Sequence, residues 1–264
     1  MRISEFYRRA MRKAPATAAL LALCATAPAF ALQPPAVNLG PGHWWFGLGF
    51  LRYQRPYVGS SRWSRFVPLA SIDTPRFFIH GTKAGWRVWQ RGNSTVALVA
   101  QPDALHYNAQ DNGALAGMTT KLGTVMGGAD WVWHFRDHLS LHTQALTDLL
   151  RRNKGDIVSV ALAGRWRAGP WFFQPRAGLA WQSAGYVDYY FGVTPAESRP
   201  GRPAYSGKGT VNESLGMTIG RDFAGHFAAL AGVRETRYGS GVTSSPIVAH
   251  KNALDLLVGL YYHF

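Results

Sequence analysis

The chain has 264 residues, 28 Lys and Arg against 14 Asp and Glu, a net charge of +14 and a single cysteine. One cysteine excludes a disulfide framework, and the lack of any run of about 18 consecutive apolar residues excludes helical membrane spans. The arginines stand singly, at Arg65, Arg76, Arg87, Arg165, Arg176 and Arg234 among others, rather than in a compact block, which argues against nucleic acid as partner.

The N-terminus carries Arg2, Arg8, Arg9, Arg12 and Lys13, then an apolar run over 14–29 and the small-residue pattern Ala29-Phe30-Ala31. This is the grammar of a secretory signal peptide, predicted over 1–31 with cleavage after Ala31. Cys24 follows Leu23, where lipidation wants Gly, Ala or Ser, and it leaves with the signal. A Pro-rich periplasmic lead is expected over 32–42. For an exported basic chain of a bacterial envelope, lipopolysaccharide phosphates and the acidic stems of peptidoglycan are the nearest anions.

From 43 onward, short runs with a period of two are separated by Gly, Pro, Asp and Asn, the mark of strands and turns. The first, over 43–54, sets Trp44, Phe46, Leu48 and Phe50 against Gly47 and Gly49. Runs over 65–72, 76–90 and 95–107 follow, then a polar, Gly-rich loop over 108–118. The run over 122–136 brings Trp131, Trp133 and Phe135 to one face, and a tight link leads to 139–150. In 156–167, Val158, Val160, Leu162 and Trp166 oppose Ser159, Ala161, Ala163, Arg165 and Arg167. A short turn leads into 171–182, then a long Gly/Pro-rich loop spans 186–209. Strands over 211–221 and 227–238, a loop over 239–252, and a last strand over 253–264 complete the chain. In that last strand Leu254, Leu256, Val258, Leu260, Tyr262 and Phe264 form one apolar face, with small, polar and charged residues on the other.

One face for lipid, one for a packed or wet lumen, and aromatics gathered near segment ends predict an all-β fold: a closed antiparallel transmembrane β-barrel of the outer-membrane type. Eleven runs emerge, whereas single-chain bacterial barrels carry an even number of strands. Either an early run splits in two or one does not span, so 10–12 strands are expected. Tyr262 and Phe264 are read as the barrel's C-terminal signal.

The chemistry-bearing residues give little. No H-E-x-x-H, G-x-S-x-G, C-x-x-C or phosphate loop occurs, and no cofactor, metal or catalytic site is predicted. His138 and His142, four apart on a strand, stand nearly 14 Å from one another, too far for one metal. Ser140 and His142 share a strand face, the one arrangement open to a lipid-modifying enzyme, yet no third member is spaced to match. Arg165, Arg167, Arg176, Arg234 and Arg237, with Glu213, Glu235 and Asp255, are read as lumen charges. They form either a structural ladder filling a narrow barrel or an anion-selective constriction. The 186–209 loop is too long for a connector. It is read as a plug, a lid or a docking surface anchored by Tyr189, Tyr190, Phe191, Pro195, Glu197 and Tyr205.

Two stretches go beyond barrel grammar. Tyr189-Tyr190-Phe191-Gly192-Val193-Thr194-Pro195-Ala196-Glu197-Ser198, with Gly201 and Pro203-Ala204-Tyr205 after it, resembles the Y-F-G-V-S-P-A-E loop and L-P-A-Y of the MipA/OmpV family. Ser245-Pro246-Ile247-Val248 before the final strand resembles the family's S-P-I-V. The order and spacing agree over about 171–264, and Val67-Pro68-Leu69 and Phe77-Phe78 extend the likeness upstream. There are departures: the first loop, Pro56-Tyr57-Val58-Gly59-Ser60-Ser61, lacks the family's carboxylate, and His263 stands where Arg is usual. The resemblance implies an outer-membrane protein, assembled by the barrel-assembly machinery and bathed in lipid and lipopolysaccharide. Its best-described member is a scaffold joining a murein lytic transglycosylase to a peptidoglycan synthase. A scaffold is therefore the first functional expectation, a narrow channel for small anionic solutes the second, and a lipid-modifying enzyme the third.

Overall fold

A computed structural model describes residues 44–60, 63–103, 105–110, 112–223 and 226–264; the expected signal peptide and lead lie outside the described residues. The strands are β1 (Trp44–Tyr53), β2 (Trp63–Asp73), β3 (Phe77–His80), β4 (Lys83–Arg91), β5 (Ser94–Asp103), β6 (Thr124–Arg136) and β7 (Leu139–Asp148). After these come β8 (Asp156–Gly164), β9 (Trp166–Ala168), β10 (Trp171–Gln182), β11 (Thr210–Asp222), β12 (Phe227–Arg237) and β13 (Asn252–His263). Helix α1 (Ala184–Phe191) follows β10 and a single-turn α2 (Ser240–Thr243) follows β12.

Apart from β8 and β9, each strand pairs antiparallel with its sequence neighbour, and β13 pairs with β1 from Trp45↔His263 to Arg52↔Leu256, which closes the ring. Both β8 and β9 pair with β10, split only at Arg165, so they occupy one place in the wall and the barrel has twelve strands. The even number arises because the early run over 76–90 is two strands. His80↔Lys83 closes a two-residue turn with Gly81 at φ +60°, a conformation that costs glycine least.

The outer surface follows from the period of two. Leu48, Phe66, Leu98, Leu162, Leu179, Leu215, Val258 and Leu260 are exposed, facing lipid, while their strand neighbours turn inward. Short turns at one end (74–76, 92–93, 137–138, 169–170) and, apart from the 81–82 turn of the β3–β4 hairpin, longer loops at the other fix the orientation: short turns and both strand termini periplasmic, loops outward. At the periplasmic end Trp44, Trp86, Trp89, Trp131, Trp133, Trp166, Trp171 and Phe264 form an exposed aromatic girdle. Phe264 packs against Tyr262 at 5.0 Å, and its backbone N–H donates to Trp44 O at 3.1 Å, so the terminal aromatics seal the seam.

Inside, two aromatic rings lie over glycines paired with them across the ladder, Phe172 on Gly220 and Phe78 on Gly85. A Cβ at Gly220 would come within 2.0 Å of the Phe172 ring. We expect Gly220→Val to lower the unfolding free energy by about 1–3 kcal/mol, by overpacking. A urea titration in micelles reads this, and Phe172→Ala in the same chain should recover part of the loss.

Candidate functional site

The extracellular mouth is where the two resemblance-bearing stretches meet. Ser183 caps α1, accepting from Tyr186 N, and the helix turns Tyr186, Val187, Tyr190 and Phe191 into the barrel with at most 1% exposure. They share one buried cluster with Val99, Met126, Leu146 and Ile157 of the wall and with Tyr57, Tyr107, Leu115 and Ile247 of three other loops. Val193 pairs with Tyr205 to close a small loop, and Tyr205 donates from its hydroxyl to Gly241 O at 2.6 Å. Ser245 donates from Oγ to Phe191 O at 2.6 Å, which ties the second stretch to the first. The result is a lid folded across the lumen. Of the six loop residues singled out in the sequence, Tyr190, Phe191 and Glu197 are buried, Tyr189 and Tyr205 half-buried and Pro195 exposed.

Two charged side chains lock the lid to the β5–β6 loop. Glu197 accepts from Thr119 N at 2.7 Å, Thr194 N at 3.1 Å and Thr194 Oγ1 at 2.9 Å. Arg202, buried, donates to Glu197 O, Ala114 O and Ala116 O. Burial alone would raise the Glu197 carboxyl above its ordinary 4.5, but these bonds win and bring it to about 2. In the same region burial pushes the Tyr57 and Tyr205 hydroxyls up.

Below the lid the lumen is polar. Arg234 pairs with Asp255 at 2.6 Å and Lys83 with Asp130 at 2.6 Å, and Asp73 holds both His80 at 3.0 Å and Arg87 at 2.8 Å. Arg176 alternates inward on β10 with the buried Phe172 and Gln182. Arg165 sits at the break between β8 and β9, its N–H bonded to His138 O. Arg167 lies at the periplasmic rim, half-exposed and paired with Asp222 at 2.7 Å. Three expected lumen charges face outward instead. Arg237 and Glu213 are 74% and 62% exposed and 4.0 Å apart, and Glu235 is exposed beside Asn252. The reason is parity: Arg234 and Arg237 are three residues apart on one strand and cannot share a face. The ladder partners Asp73, His80, Lys83 and Asp130 escaped the sequence reading because their pairing depends on register between strands distant in sequence.

Ser140 Oγ and His142 Nε2 are 2.9 Å apart. Among the described residues no carboxylate is hydrogen-bonded to His142, and Asp130, which acts on it electrostatically, is held by Lys83. A serine nucleophile needs its histidine oriented and its charge stabilised by a third group, and that part is not assembled here. Among the described residues no group of three or more His, Cys, Asp and Glu is placed to hold a metal ion.

A closed barrel with a lipid-facing belt, an aromatic girdle and a folded lid defines an integral protein of the bacterial outer membrane. Residues 46–264 match the family described as MltA-interacting protein MipA, and the chain belongs to that family. It is 25% identical over 226 residues to the MltA-interacting protein of Escherichia coli K12, covering 84% of this chain and 91% of that one. It is 22% identical over 221 residues to the putative outer membrane protein YiaT of the same strain, covering 83% and 89%. The outer membrane protein Omp26La of Vibrio anguillarum is 33% identical over 117 residues, 44% of this chain and 46% of that one.

Because the Glu197 carboxyl lies below its ordinary value, its contribution to the lid is complete above pH about 4.5 and is lost as pH falls toward about 2. Protease access to the 186–209 loop should rise over that window in the parent protein, and Glu197→Gln should be accessible at every pH, with the acid-dependent step removed.

Proposed function

We propose that the protein is a non-enzymatic scaffold that holds a murein lytic transglycosylase, and a peptidoglycan synthase with it, at the periplasmic face of the outer membrane. The observation that carries the reading is the lid: the rings best suited to anchor a partner outside the cell, Tyr186, Tyr190 and Phe191, are consumed in capping the lumen. The name of the E. coli relative supports a murein transglycosylase as partner. On the opposite face, four of the periplasmic turns each carry an exposed arginine at or beside the strand end: Arg76, Arg91, Arg136 and Arg221. Such rim charges steer an acidic partner to its place more than they hold it there.

The test is crosslinking in intact cells followed by recovery of the affinity-tagged protein. A murein transglycosylase should be enriched over an unrelated-barrel control, and Arg76→Glu, Arg91→Glu and Arg136→Glu together should abolish the enrichment. Arg202→Ala, which loosens only the lid, should leave it unchanged. Recovery of lipopolysaccharide and assembly factors alone would sink the proposal.

A second reading is a narrow channel for small anions, favoured by Arg176 and Arg234 in the lumen beneath the lid. It predicts discrete currents in planar bilayers. The scaffold reading predicts silence from the intact barrel, with openings only when Arg202→Ala or Tyr190→Ala frees the lid.

A further inference from the structure

The extracellular loop between β7 and β8 holds a cationic face on a fixed frame. Asp148, buried at the end of β7, accepts from Leu150 N at 3.0 Å, Asn153 N at 2.6 Å, Lys154 N at 3.1 Å and the Thr124 hydroxyl. Asn153, also buried, accepts from Gly155 N at 2.8 Å. The far end of the loop is held to the cap of α1, where Asp156 N donates to Ser183 Oγ at 2.9 Å. The side chains left exposed are Leu149, Leu150, Arg151, Arg152 and Lys154.

The backbone makes that choice of side chains informative. Arg151 at φ +54° and Lys154 at φ +49° are the non-glycine residues in the left-handed region among the described residues. Glycine takes that region freely, and asparagine more readily than a long side chain does. A cation kept at both positions against the backbone's preference points to a role for the charged ends. Arg152, between them, donates to Gly123 O and keeps further guanidinium N–H groups for other acceptors. Among the described residues none of the three cations is in an ion pair. Of the carboxylates flanking the loop, Asp148 is occupied by its four donors and Asp156 is exposed.

The loop stands at the outer edge of the lipid belt. On the outward face of β7 and β8 the apolar rung Ala145↔Val158 gives way to Thr147↔Asp156, both exposed. At that level Leu149 folds down over the outside of β6. A Cβ on Gly127 would lie 2.5 Å from Leu149 Cδ1, and Gly127 shares the outward face with the exposed Ala129 and Trp131. Arg152 reaches Gly123, beyond the end of β6. Leu149 and Leu150, 54% and 49% exposed, thus meet lipid, and the cations meet the layer of head groups over it.

We propose that this loop is a docking site for lipopolysaccharide, which it grips at lipid A, the phosphorylated and acylated end of that glycolipid. Arg151, Arg152 and Lys154 hold the phosphates, and an acyl chain lies against Leu149 and Leu150. Guanidinium groups take phosphate oxygens in paired, charge-assisted bonds, and the lysine adds a point charge. The frame built on Asp148 presents the cations with little left to order on binding. A soluble polyanion would leave the two leucines without a partner, so the membrane glycolipid is the occupant that satisfies the whole face. The assignment is independent of the scaffold reading, which concerns the periplasmic rim.

The test is native mass spectrometry of the full barrel in nonionic micelles, titrated with lipid A and with lipid A stripped of its phosphates. The parent should bind the stripped form about ten-fold or more weakly. Arg151→Gly with Lys154→Gly should bring lipid A to that same weak level and leave the urea midpoint unchanged or raised, because glycine accepts positive φ at both positions. Arg151→Gln with Lys154→Gln, which removes the charge and keeps a long side chain, should lose lipid A equally. Lys208→Gln with Lys251→Gln removes as much charge from other outer loops and should leave binding as in the parent. Equal binding of the two lipids, binding untouched by either Arg151/Lys154 pair, or an equal loss in the Lys208/Lys251 pair overturns the proposal. Leu149→Ser with Leu150→Ser should weaken lipid A and leave inorganic polyphosphate unaffected. Polyphosphate bound as tightly as lipid A, with lipid A indifferent to the serine pair, means a site for soluble polyanions and also overturns it.

Discussion

The whole molecule depends on one constraint: in hydrocarbon, a backbone N–H or C=O without a partner costs several kcal/mol, so a sheet can cross only by closing on itself. The seam between β1 and β13 meets it, from Trp45↔His263 through Arg52↔Leu256, and Phe264 extends the bonding to Trp44. Once the ring is closed, the strand period of two sorts every other residue to lipid or to lumen. The lumen of a twelve-stranded ring is then a space to be filled. At the periplasmic end it is lined by rings laid over glycines, and at the outer end it is capped by α1 and its neighbouring loops. Between them, charges are tied in pairs. Beside Pro68 and Pro102, among the described residues, β2 over 63–69 and β5 over 101–103 each lack a strand partner on one side.

The lid gives the resemblance-bearing stretches a physical account. Gly192 follows the last turn of α1, where a Cβ would lie 2.3 Å from Asp188 O. Pro195 opens a short 3-10 turn, and Glu197 closes it by capping Thr194 while reaching Thr119. Ser245 and Ile247 bring the loop after β12 against Phe191 and Val58. These residues are fixed by one another. A motif of this kind specifies how loops fold over a barrel mouth, and by itself it names no ligand.

The sequence made most of the wall legible because lipid on one side leaves a clean alternation. In β13 the exposed Leu254, Leu256, Val258 and Leu260 and the buried Asp255, Leu257 and Tyr261 fall as the period of two predicts. The β3–β4 hairpin was hidden because Gly81 and Thr82 interrupt the run over 76–90 without a polar cluster. Its length gave no signal, since the run over 122–136 is as long and folds as the single strand β6. The helix in the long loop was hidden for a different reason. Its apolar residues face the lumen from one side and other loops from the rest, so no clean amphipathic stripe appears.

The lumen charges show where reading by residue type stops. Arg234 and Arg237 look alike in the sequence, yet one neutralises Asp255 inside and the other stands beside Glu213 outside. Face is decided by parity within a strand, which the sequence shows once a neighbour's side is known. Partner is decided by register between strands, which it does not show. Lys83 and Asp130 are 47 residues apart and meet at 2.6 Å because β4, β5 and β6 are stacked in one order and one stagger. Electrostatic function in such a barrel is therefore a property of the closed ring, and a basic composition alone fixes neither where the charge lies nor which anion it serves.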